Sequence, residues 1–211
     1  MNKLYAFRGW ILGALGLAVI AMPPAPFPRI KISRLLEHPE LLFSDDVFFA
    51  LLVPGAVFLV SVLLRIQARR TIGEHTRGFT HDADRLVTDG LYSKIRHPLY
   101  VSNTGVAYSL ILLHLGFTPV AAIPVILLVV FEVFLSKMED RYLESRFGEE
   151  WRKWAAKTPA FFPRLAPMSE TEKSRSAKFV PRSFGESFRA DTSTWFWLVF
   201  CVSLILLRKL V

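Results

Sequence analysis

The sequence predicts an all-α fold, a polytopic membrane helical bundle of about five membrane helices with a helical hairpin and a polar pocket at the cytoplasmic end. Three observations carry this. Of 211 residues, 52% are apolar and 18 are phenylalanine, and the mean hydropathy is +0.36. The apolar residues gather in four stretches, comparable with the roughly 20 residues a helix needs to cross a bilayer of about 30 Å. Lys and Arg cluster in the polar segments beside them, the asymmetry that orients membrane proteins.

The first stretch, Tyr5 to Met22, follows Lys3, contains Arg8 and ends before Pro23-Pro24. It is similar in outline to a secretory signal but has no A-x-A cleavage site, so it reads as a retained helix. Its Gly9 and Gly13 form a GxxxG spacing that would admit a close helix neighbour, a spacing also expected by chance among so many small residues. After a proline-rich connection with Asp45-Asp46, a second span runs from Val47 to Ile66.

The third stretch, Val101 to Leu135, is 35 residues long. As one helix it would measure ~52 Å, far more than the bilayer. It must fold back, and Gly116-Phe117-Thr118-Pro119 supplies the turn between two antiparallel helices. The fourth stretch, Trp195 to Leu207, suits a short span or an interfacial helix.

Seven Lys and Arg lie between Arg65 and Asn103 and twelve between Lys137 and Arg189, which assigns both segments to the cytoplasm. Lys137 to Lys157 reads as an amphipathic helix or helix pair interrupted near Gly148, skimming the membrane. Leu165 to Thr194 reads as a polar connection.

Several functions are excluded or unsupported. The net charge of +8 lacks any nucleic-acid motif or aromatic platform, so no nucleic-acid partner is expected. One cysteine, Cys201, rules out an internal disulfide, a CxxC pair and a thiolate zinc cluster, and no metal site is expected. There is no G-x-G-x-x-G after a strand, no GxxxxGK[ST], no H-E-x-x-H and no G-x-S-x-G.

What remains is Arg96-His97-Pro98-Leu99-Tyr100, answered about 40 residues later by Glu139-Asp140. Pro98 suits the first position of a helix, with His97 at its cap. His97 and Tyr100, three apart, then share a face. The hairpin returns the chain to the surface it left, bringing both tracts to the same end of adjacent helices. Histidine, arginine and helix-end N–H groups suit an anionic end, carboxylates suit hydroxyls or an ammonium, and aromatic faces suit a cation or adenine. A zwitterionic, nucleotide-like cofactor fits this set. Glu132, inside the apolar fourth helix, is functional or paired by default because an isolated carboxylate there is costly. With Ser136 and Glu139 it forms a stripe at i, i+4 and i+7. A structural carboxylate satisfied by a neighbouring helix remains open for Glu132, as a solvated charge run does for Glu139 and Asp140.

Ordered motifs between Arg85 and Pro163 make the chain resemble the isoprenylcysteine carboxyl methyltransferase family and its wider group, which includes phospholipid methyltransferases. They are Leu86-Val87-Thr88-Asp89-Gly90-Leu91-Tyr92, Arg96-His97-Pro98-Leu99-Tyr100-Val101, Glu139-Asp140, Phe147-Gly148-Glu149-Glu150-Trp151, and Thr158-Pro159 before Pro163. The resemblance implies an integral membrane enzyme using S-adenosylmethionine, with a cofactor pocket facing the cytoplasm and a lipophilic or lipidated acceptor entering from the membrane lipid. It implies that His97, Tyr100, Glu139 and Asp140 contact the cofactor. Arg96, Lys137 and Arg164 are the candidates for orienting a carboxylate acceptor, and Glu132 or Glu139 for deprotonating an amine acceptor.

The organisation is then 1–84 as an N-terminal two-helix region and basic loop, 85–163 as the methyltransferase core, and 164–211 as a polar connection and C-terminal helix. Ser102 stands where the family usually has glycine, Asp140 where it has glutamate, and Trp151 and Trp154 where it has tyrosines. The acceptor of first choice is a prenylcysteine-type carboxylate or small lipid, with phosphatidylethanolamine N-methylation next. An NADPH-dependent membrane reductase and a small structural or transport bundle are the readings from other classes.

Overall fold

The computed structural model describes residues 7–24, 32–72, 85–165 and 180–210. In order these form α1 (Arg8–Ala21), α2 (Ile32–Glu37), a 3-10 turn (Pro39–Phe43), α3 (Asp45–Ile72), a 3-10 turn (Gly90–Ser93), α4 (Pro98–Leu115), α5 (Pro119–Phe147), α6 (Glu149–Ala155), α7 (Phe184–Arg189) and α8 (Thr192–Leu210). Among the described residues the fold is all-helical, as the sequence predicts.

Two of these helices, over Val47–Ile72 and Pro119–Phe147, are long and apolar enough to cross a membrane, while α1 and α8 are shorter apolar helices. Leu59, Val60 and Leu63 on α3 and Ile123, Ile126, Leu127 and Val130 on α5 are exposed. Rows of bare aliphatic side chains are unfavourable in water but suited to hydrocarbon. The two helices contain Pro54 and Pro124 without ending, a tolerance typical of membrane helices.

The long apolar stretch does fold back. α4 stops at Leu115, Gly116 takes a left-handed φ of 64°, and α5 opens with Pro119 at its first position. α6 is set off by a second left-handed glycine, Gly148, with φ 54°. Two expected boundaries shift. α3 runs six residues beyond Ile66 to Ile72, with Arg69 and Arg70 in its last turn, where their charges suit the negative end of a helix. Within the expected polar connection, Ser183 and Glu186 form a capping box that starts α7. Tyr5 and Ala6, which begin the first expected helix, lie outside the described residues.

The chain divides into two compact units. One takes Met1–Ser61, Thr104–Phe131 and Thr192–Val211; the other takes Val62–Asn103 and Glu132–Asp191. In the first, Val19 of α1 packs with Ile111 and Leu115 of α4 and Ala121 and Leu128 of α5. The buried His114 Nε2 lies 2.9 Å from the Met22 carbonyl at the end of α1. The close approach falls at Gly105 rather than at the GxxxG pair. A Cβ built at Gly9 or Gly13 meets open space, whereas one at Gly105 collides with Ser61 Oγ of α3.

In the second unit, Ala68 and Ile72 of α3 pack with Tyr92, joined by Val87, Leu91, Leu99 and Trp154. The Trp154 indole N–H donates to the Tyr92 carbonyl at 3.0 Å. The segment after α6 runs beside the one before α4. Arg96 N–H donates to Pro159 O (2.9 Å), His97 N–H to Ala160 O (3.0 Å), and Arg164 N–H to Lys94 O (2.8 Å). These bonds fix the approach to α4 from outside the helix, and Thr158 is buried beneath them.

Candidate functional site

Arg96, His97, Tyr100, Glu132, Glu139 and Asp140 all belong to the second unit. Four of them meet. His97 caps α4, and its carbonyl accepts the Val101 N–H at 3.1 Å. Its ring is 3% exposed, and Nε2 lies 3.0 Å from Asp140 Oδ1. An ionised carboxylate only accepts, so the proton of a neutral imidazole sits on Nε2. The second carboxylate oxygen lies 3.5 Å from an Arg96 guanidinium nitrogen. Tyr100, one turn along α4, meets the His97 ring edge-on with centroids 5.5 Å apart. Phe161 covers the imidazole at 5.9 Å.

Arg96 also lies over the Trp151 ring, with its guanidinium carbon 5.6 Å from the centroid. A cation above an indole face is attractive, more so as water is excluded. Both residues keep a buried donor in reserve. Arg96 Nε and Trp151 Nε1 have no hydrogen-bond partner among the described residues. Buried donors rarely stay unmet, so such a pair is where an acceptor-bearing group would be accommodated.

The two acids expected to act together differ in their surroundings. Successive helical residues point about 100° apart, so Asp140 can face His97 while Glu139 does not. Asp140 is committed to His97 and Arg96. Glu139 is half-buried and has no hydrogen-bond or ion-pair partner among the described residues. Ser102 of α4 is fully buried.

Glu132 joins a different group. It is 1% exposed, and its charge acts on Arg65 of α3. Arg65 Nε donates to Asp191 Oδ2 at 2.8 Å, and an Arg65 Nη donates to Asn103 Oδ1 at 2.6 Å. Arg69, one turn along, also reaches Asp191 at 2.8 Å. Sequence reasoning counted Arg65 and Arg69 only as orienting charge and passed over Asp191 and Asn103. The i, i+4 spacing of two arginines at a helix end was the visible signal.

The remaining arrangement is local. Arg152 of α6 donates to Glu144 of α5 at 2.7 Å across the Gly148 break. That bond and the carboxylate's charge hold the exposed Arg152 guanidinium above its ordinary pKa. No cluster of His, Cys, Asp and Glu among the described residues could hold a metal ion.

The chain is 44% identical over 85 residues to the cobalt-zinc-cadmium resistance protein CzcN of Cupriavidus metallidurans. The overlap covers 38% of this chain and 37% of that protein, so the chain spans little more than a third of the curated relative it matches. No solved structure matches it. The sequence model of the phospholipid methyltransferase family matches residues 49–150, from α3 through the start of α6. Over that segment, just under half of its length, the chain is similar to the phospholipid methyltransferase family, within the isoprenylcysteine carboxyl methyltransferase-like group.

Proposed function

We propose that the protein is an integral, multi-pass membrane enzyme that moves a methyl group from S-adenosylmethionine to a lipophilic acceptor. The observation that carries the reading is the contrast between the two adjacent acids. Asp140 locks His97 and Arg96 in place, while Glu139 beside it has no partner among the described residues.

The donor set fits the cofactor by its chemistry. A carboxylate without a partner suits an ammonium or ribose hydroxyls, and the buried Arg96 Nε and Trp151 Nε1 donors suit a carboxylate or hydroxyl oxygen. His97, Tyr100, Glu139 and Asp140 would hold it, with His97 fixed by Asp140 rather than free to rotate. When bound, S-adenosylmethionine supplies a sulfonium-activated methyl group for in-line displacement, in which positive charge disappears as the methyl leaves. The protein's work is then to orient two partners and keep water away.

Arg96 is the residue for orienting an acceptor carboxylate, which needs no base. The cytoplasmic placement of the basic segments and the pocket rests on the Lys and Arg distribution, and an interfacial α8 keeps Arg208 and Lys209 consistent with it.

We take a prenylcysteine-type carboxylate or small lipid as the acceptor. Its support is Arg96, a cation beside the fixed imidazole. The matched family model favours a second reading, phosphatidylethanolamine N-methylation. That chemistry needs a base, for which Glu132 or Glu139 would serve. Membranes carrying the protein, given methyl-labelled S-adenosylmethionine and each acceptor, separate the readings. Base-labile ester label supports the first, and base-stable label in phosphatidylethanolamine replaces it with the second. No transfer to any lipid extract overturns both.

A further inference from the structure

Residues 180–191 are strapped down at both ends. Arg182 N–H donates to the Arg70 carbonyl at 3.0 Å, and Arg70 Nε returns a bond to the Arg182 carbonyl at 3.0 Å. At the other end the buried Asp191 takes both Arg65 and Arg69 at 2.8 Å. Between the clamps, the Ser183–Glu186 capping box closes the first turn of α7. Ser187 is turned inward and fully buried, while Phe184 and Phe188 are 55% and 44% exposed.

Phe184 and Phe188 lie four apart, hence on one helical face. Val180, just ahead, is exposed too. A clamp of three arginines that holds two phenylalanines outward is unfavourable in water, where each exposed ring forfeits burial. Two features of the sequence say what covers them. Lys173 to Arg189 carries five basic residues and one acid, a charge suited to phosphate head groups. α8 begins two residues after α7, and its first two turns carry Trp195, Phe196 and Trp197, an aromatic group of the kind that marks the membrane–water boundary.

We propose that α7 is an interfacial anchor. Phe184 and Phe188 enter the boundary between head groups and acyl chains of an anionic bilayer, and Arg189 lies among its phosphates. The inference rests on the membrane reading above and goes beyond it, because it assigns a lipid contact to a segment outside both long apolar helices.

The test uses the full chain with Cys201→Ser and one added cysteine, Phe184→Cys, Phe188→Cys, Glu186→Cys or Ile126→Cys, each labelled with an environment-sensitive NBD dye. The proteins are placed in nanodiscs of phosphatidylcholine with or without phosphatidylglycerol. Quenching by lipid-borne doxyl at Ile126 tests the membrane reading itself. The proposal expects blue-shifted, doxyl-quenched emission at 184 and 188, water-like emission at 186, and weaker quenching when phosphatidylglycerol is omitted or Arg189→Glu is added. Water-like emission at 184 and 188 while Ile126 is quenched overturns the anchor alone. Blue-shifted emission there without doxyl quenching means another protein surface covers the patch, and overturns it as well. An unquenched Ile126 removes the membrane reading and the anchor with it.

Discussion

The His97 imidazole and the Asp140 carboxylate meet at 3.0 Å although 43 residues separate them in the chain. The contact joins the start of α4 to α5 beyond its apolar stretch, and it sets Asp140 apart from the neighbouring Glu139. Asp140→Ala leaves a nearly buried imidazole without its acceptor. The expected cost is about 1 to 3 kcal/mol of stability, the usual penalty for a stranded buried polar group. Denaturant titration in detergent measures it. Glu139→Ala, by contrast, should leave that midpoint unchanged, because it removes no bond among the described residues.

Asp191 pairs with two arginines at once, with its side chain 3% exposed and that of Arg65 9% exposed. Removing one member of a buried ionic group strands the others. Asp191→Ala is expected to cost about 3 to 5 kcal/mol. Asp191→Asn, which keeps an acceptor oxygen, should cost less. Equal losses in the two variants would show that hydrogen bonding contributes nothing there.

A methyl group at Gly105 would occupy the space of Ser61 Oγ, which donates to the Val57 carbonyl at 2.7 Å. Gly105→Ala therefore forces Ser61 aside. The expected destabilisation is about 1 to 3 kcal/mol, typical of overpacking. Adding Ser61→Ala should recover part of it, and a double-mutant cycle that shows no coupling would argue against this close approach.

The Glu186 carboxylate accepts from the Ser183 hydroxyl and then from the Ser183 N–H, and these bonds hold its pKa below the ordinary 4.5. A depressed carboxylate pKa adds stability that is fully present above the unfolded value and is lost as pH falls through the folded one. α7 should thus loosen below pH 4.5. Amide exchange over residues 184–189 checks this, and Ser183→Ala, which removes the hydroxyl but keeps the N–H, should weaken the pH dependence.

Much of this was legible in the sequence because it depends on local rules. Pro98 and Pro119 at helix starts, Gly116 at the turn and Gly148 at the break follow from backbone constraints acting over a few residues. The Arg65–Asp191 pair was not legible, because its members lie 126 positions apart and nothing local ties them. The difference in surroundings between Glu139 and Asp140 needed the rotation of α5 relative to His97, which spacing alone does not fix. The capping box at Ser183 was readable and overlooked, since the segment's polar composition masked a four-residue signal.

The central claim is that the unit holding His97, Asp140 and Glu139 binds a charged methyl donor. Titration calorimetry of the purified protein with S-adenosylmethionine, beside His97→Ala and Glu139→Ala, tests it most directly. Each variant should bind about 1 to 3 kcal/mol more weakly than the parent protein, with Glu139→Ala retaining the parent's unfolding midpoint. Near-parental affinity in both variants, or binding of NADPH in place of S-adenosylmethionine, would contradict the account.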